Sequence, residues 1–117
     1  MPWTKTLCDH TDHCPGKVMV TLLREDSNIV IESQFDGVIR IFPCSVPGLM
    51  GAQRGSRTHL LSADGECVIS KEADGVWFIV NSRSTPQERF FVSPSDYLAA
   101  LSEMIEAKVI QKRISLQ

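Results

Sequence analysis

Two cysteines and two histidines fall within the stretch CDHTDHC, residues 8–14. Thiolate sulfur and imidazole nitrogen are the usual ligands of zinc, which takes about four of them in a tetrahedron. Cys8, His10, His13 and Cys14 are therefore a candidate zinc set, with Asp9 and Asp12 able to ligate or to accept from the outer ring N–H groups. The spacing is unlike a conventional structural site, in which two close pairs sit on segments about a dozen or more residues apart. A partial site (His10 with Cys14, or Cys8 with His13) would need completion by Cys44, His59 or Cys67. The same positions admit two other chemistries. Cys8 and Cys14 can close a small disulfide loop under oxidising conditions. A cysteine beside a histidine can also act as a nucleophile, but sequence neighbours seldom aim both side chains productively, and no thiol-enzyme signature surrounds either cysteine.

A second candidate is PCSVPGLMGAQRGSR, residues 43–57, rich in glycine and proline and without periodicity. Such a segment reads as a long loop, and long loops in small domains tend to carry function. Its glycines permit backbone amides to face an anion, and Arg54 and Arg57 can grip one. It matches neither a phosphate-binding G-x-x-x-x-G-K-[ST] loop nor a dinucleotide G-x-G-x-x-G turn. Contact with a partner protein through Leu49, Met50, Arg54 and Arg57 is the expectation. Trp77, Phe78, Phe90 and Phe91, with Arg83 and Arg89 nearby, form a third set. Exposed aromatics interleaved with arginine can stack single-stranded bases, whereas aromatics on strands usually fill a core. Core is expected for Phe78 and Phe90. The sequence contains no H-E-x-x-H, no G-x-S-x-G and no calcium-binding loop, so no catalytic residue is assigned.

The elements that would position these groups are marked by Asp-Gly at 36–37, 64–65 and 74–75. Asp-Gly suits tight hairpins because both residues tolerate positive φ. Reading outward gives strands over 17–23, 28–33 and 38–42, and a second group over 58–62, 66–71, 76–82 and 89–92. The first two strands are joined by the polar stretch REDSN, residues 24–28. SPSD at 93–96 is a capping box with a proline suited to the first turn. Leu98, Leu101, Ile105 and Val109 follow at steps of three and four, with Tyr97 and Met104 widening the stripe and Lys108, Lys112 and Arg113 at the far end. The spacing predicts a helix over 94–112, with the tail able to close as a strand instead. The expected architecture is α+β. It has up to seven short antiparallel strands in two meander groups, sandwich-like or a partly open barrel, followed by one C-terminal amphipathic helix.

A chain of 117 residues with 43% hydrophobic and 22% charged residues suits a single domain, here 1–117 with an N-terminal Cys/His-rich arm over 1–16. A formal net charge of −2 disfavours gripping nucleic acid through its phosphates. The longest apolar run, VWFIV at 76–80, is far shorter than the about 20 residues that span a bilayer, and MPWTKTLCDH holds no secretory h-region. A cytoplasmic location without membrane contact is the expectation, with the cysteines reduced or metal-bound.

VWFIV is apolar on both faces, and KVMVTLL and RFFV share this character. A strand with one wet face should alternate apolar with polar, so these need cover on both sides. One helix covers only part of one face. The rest must meet the other strand group or a second molecule. The sequence thus points to a non-enzymatic binding protein acting through protein–protein contacts, as a small homodimer. Its alternatives are a single-strand nucleic-acid binder and a zinc-stabilised regulatory protein.

Overall fold

The computed structural model describes residues 3–11, 14–23 and 28–115, with side chains as far as Lys108. Asp12, His13, residues 24–27 of the REDSN stretch, and the side chains of Val109, Lys112 and Arg113 lie outside the described residues.

The chain runs as β1 (Trp3–Thr11), β2 (Cys14–Leu22), β3 (Asn28–Phe35), β4 (Val38–Ser45), α1 (Val46–Gln53), β5 (Thr58–Ser62), β6 (Gly65–Lys71), β7 (Val76–Asn81), β8 (Glu88–Val92) and α2 (Pro94–Ser115). β1–β4 form one antiparallel sheet in sequence order, and β5–β8 form the other. We call these the first and second sheets. Each meander is followed by a helix. The Asp36-Gly37 turn has both φ values positive, 51° and 79°, the conformation that matches the twist of the flanking strands. Gly65 sits at φ 127°, where an added Cβ would run into the Asn81 carbonyl of β7.

The two sheets face each other. Val18, Val20, Leu22, Ile29, Ile31 and Phe42 of the first meet Cys67, Ile69, Phe78, Val80, Phe90 and Val92 of the second in one core. This gives the inner faces of the apolar strands their cover, as the hydrophobic pattern requires. Phe78 and Phe90 are fully buried, as expected. The Tyr97 hydroxyl donates to the Leu49 carbonyl at 2.7 Å, tying α2 to α1.

Four features depart from the sequence reading. The N-terminal arm is strand β1 with the start of β2, making eight strands among the described residues. Register shifts between Thr6 and Cys8 and between Asp9 and Thr11, with His10 at φ 49°, break the two-residue period that would have revealed β1. The 43–57 segment is not a loop: it is the end of β4, then α1, then a short turn. Ser45 caps α1, its Oγ accepting from the Gly48 amide at 3.1 Å, and Val46, Leu49 and Ala52 are buried. α2 continues to Ser115, so the tail does not close as a strand through that residue. Its cap is as predicted, with Ser93 Oγ accepting from the Asp96 amide at 3.2 Å. The buried stripe is Tyr97, Ala100, Leu101 and Met104, while Leu98 and Ile105 are exposed. Among the described residues no helix is long and apolar enough to cross a membrane.

Candidate contact surface and end cleft

Cys8 and Cys14 are joined as a disulfide across the β1–β2 hairpin, with Cα atoms 6.4 Å apart. The expectation of reduced or metal-bound cysteines is corrected for this pair. Both are buried, whereas His10 is exposed and its Nδ1 pairs with the Asp9 carboxylate. The sulfurs therefore face inward and the imidazole outward. Among the described residues no group of three or more His, Cys, Asp or Glu side chains is placed to hold a metal ion, and His13 lies outside them. Of the residues considered for completing a site, Cys44 and Cys67 lie close enough to interact electrostatically, whereas His59 is at the surface. His59 is exposed and pairs with Glu66 at 3.0 Å, and the half-buried Cys44 thiol donates to the Ser45 carbonyl. Burial pushes the Cys67 thiol up to about 12 and raises that of Cys44, which keeps both protonated and poor as nucleophiles.

The 43–57 residues are divided by the fold. Leu49 is core and has no surface to offer a partner, and Met50 is half-buried against the same core. Arg54, at the C-cap of α1, and Arg57 remain exposed, the latter donating from Nε to Ser70 Oγ at 3.4 Å.

Trp77 and Phe91 lie on the outer face of the second sheet, with Val68 and Ile79 between its strands. Around Trp77 this face closes on itself, although Leu61 of β5, on the same face, is exposed. The Arg89 guanidinium sits 5.1 Å over the Trp77 ring, Phe91 meets the ring edge-on at 5.2 Å, and the indole N–H donates to Asp74 at 3.2 Å. On the same face Val68 and Ile79 are buried.

The outer face of the first sheet is different. Strand register places Lys17, Met19 and Thr21 of β2 beside Gln34, Glu32 and Val30 of β3, and these beside Ile39, Ile41 and Pro43 of β4. On this face Ile39 is 57% exposed and Ile41 is also exposed, while Val38, on the Phe42 side of β4, and Leu61, on the outer face of β5, are exposed as well. Four of the seven large exposed apolar side chains among the described residues thus lie on two adjacent strands. The backbone edge here is already used. Asp64 accepts the Ile41 amide at 2.9 Å, and Pro43 has no N–H, so β4 is poorly suited to strand addition and offers its side-chain face instead. The alternation VIRIFPC signalled this, since Ile39 and Ile41 share a face opposite Phe42.

Beside this strip, at one end of the sandwich, lies a cleft of about 830 Å³ lined by Arg40, Asp64, Glu66, Asn81, Ser82 and Arg83, among others. Arg40 projects to the inner side of β4 and is 8% exposed. Its Nη2 donates to Thr85 Oγ1 at 3.1 Å and pairs with Glu88 at 3.7 Å. Burial raises the Glu88 carboxyl above the ordinary range, with Arg40 partly opposing the shift. Arg40 Nε and Ser33 Oγ, on register-paired residues, are buried without a hydrogen-bond partner among the described residues. At the rim, the His59 hydrogen bond holds the Glu66 carboxyl below its usual value. Sequence reading noted Arg83 only beside the aromatics and missed Arg40, because the cleft is assembled from β4, the β5–β6 turn and the β7–β8 connection.

Comparisons of the chain with protein-family models, with curated proteins and with solved structures find no match.

Proposed function

We propose that the protein is a non-enzymatic binding protein acting through protein–protein contacts, and that the outer face of β4, with Ile39 and Ile41, is its contact surface. The observation carrying this reading is the contrast between the uncovered Ile39 and Ile41 and the buried Val68 and Ile79 on the outer face of the second sheet. Adjoining apolar side chains left uncovered on a small chain are the usual mark of an interaction site. The first partner to consider is a second copy. The same face carries Lys17 and Glu32 around its apolar residues, so a two-fold arrangement can set each against the opposite charge. Arg54 and Arg57, exposed beyond α1, would supply polar contacts to a further protein.

Sedimentation across a dilution series tests this reading. The wild type should be a dimer, and Ile39→Asp with Ile41→Asp should be a monomer with the same circular dichroism. A wild type that stays monomeric at high concentration overturns the homodimer. The single-strand nucleic-acid reading is less well supported, because the stacking face of Trp77 is already taken by Arg89 and the net charge is −2. The zinc reading requires reduction of Cys8–Cys14 first.

A further inference from the structure

We propose that one water molecule is bound inside the sandwich between the Ser33 hydroxyl and the Arg40 guanidinium, as a built-in part of the link between the two sheets. Ser33 on β3 and Arg40 on β4 are register partners, 2% and 8% exposed. Opposed side chains on paired antiparallel strands leave from Cβ atoms about 5 Å apart, a gap that a single oxygen atom can bridge. Ser33 Oγ and Arg40 Nε are both buried, and neither has a hydrogen-bond partner among the described residues. Buried polar groups are otherwise nearly always bonded to protein or to internal water.

The chemistry of the two atoms narrows what can meet them. The Nε–H group only donates, so its partner must carry a lone pair. An anion is the wrong choice, because Asp64 and Glu66 line the adjoining cleft and Glu88 already sits on the same guanidinium. The partner must therefore be neutral, accept from Nε–H, share a hydrogen bond with a hydroxyl, and fit between two cross-strand side chains. Water meets all four conditions. Arg40 also borders the end cleft, which gives water a way in. The other edge of the guanidinium is already fastened, with Nη2 donating to Thr85 Oγ1 at 3.1 Å and pairing with Glu88 at 3.7 Å. A water on Nε fastens the remaining edge to β3, so that Arg40 reaches from the first sheet to β8 as a rigid strut. This proposal does not depend on the contact surface of β4, since Ser33 and Arg40 lie on the opposite face of the strands from Ile39 and Ile41.

A high-resolution crystal structure of the whole chain tests it. One ordered oxygen within about 3.2 Å of both Ser33 Oγ and Arg40 Nε is expected. In solution, Ser33→Val puts a methyl group in place of the hydroxyl and should remove the contribution of one long-lived water from the oxygen-17 relaxation dispersion of the solvent. A direct Ser33–Arg40 hydrogen bond, a backbone carbonyl on Nε, or no ordered oxygen at that position would overturn the proposal. So would an unchanged dispersion in a Ser33→Val protein that keeps the wild-type circular dichroism. The crystallographic outcome stands whether or not that variant folds.

Discussion

The two sheets share one plan, a four-strand meander followed by a helix, yet their outer faces are finished differently. On the second sheet, Val68 and Ile79 are buried and Arg89 lies over the Trp77 ring, with Leu61 of β5 left exposed. On the first, the residues flanking Ile39 and Ile41 are Gln34 and Glu32, and these spend a hydrogen bond on each other at 2.7 Å rather than reaching over β4. β4 is the last strand of its sheet, so no further strand supplies a roof on its outer side. An apolar residue on an outer sheet face is thus shielded or exposed according to its cross-strand neighbours, not its own hydrophobicity.

The first sheet is also fastened differently at its far edge, where a disulfide holds the β1–β2 hairpin. The bridge closes a small loop, with a sequence separation of 6, and its removal in Cys8→Ala with Cys14→Ala should lower unfolding free energy by about 2 kcal/mol, plus lost packing. Urea denaturation measures this. Alkylation in denaturant should mark Cys44 and Cys67 without reductant, and Cys8 and Cys14 in addition after reduction. Labelling of Cys8 and Cys14 without reduction would show the hairpin unbridged. The second sheet's fastening is weaker. Arg89→Ala uncovers Trp77 and should cost about 1 kcal/mol in the same assay, with a shift in indole fluorescence. The smallest effect belongs to Ile39→Ser with Ile41→Ser, which should leave monomer stability within about 0.5 kcal/mol, because these side chains add little to the core. A large loss there would mean that the strip is structural.

Much of the architecture was legible from local chemistry. The Asp36-Gly37 turn, the alternation in β3 and β4 and the Ser93 cap each act through residues close in sequence, and the structure keeps them; at 64–65 and 74–75 the chain also turns, with only the glycine at positive φ. α1 was hidden because Gly48, Gly51 and Pro47 resemble loop punctuation. Gly48 is there for close approach, since a Cβ would lie 3.3 Å from Cys44 Sγ. The stripe on α2 was misplaced because Leu98 and Ile105 have the right spacing, and only the position of α1 and β1 decides that Tyr97 and Met104 face inward. The contact strip could be read only in part. Alternation shows that Ile39 and Ile41 share a face, but their exposure follows from an edge position that appears only once β5 is placed.

The most direct test compares the two outer faces in one sample. A soluble paramagnetic agent broadens methyl and aromatic signals in proportion to their exposure. If the β4 strip is a contact surface for a second copy, Ile39 and Ile41 methyl signals will be broadened in dilute protein and protected as concentration rises, while Trp77 and Phe91 signals respond equally at every concentration. Equal broadening of Ile39 and Ile41 at all concentrations would contradict the account.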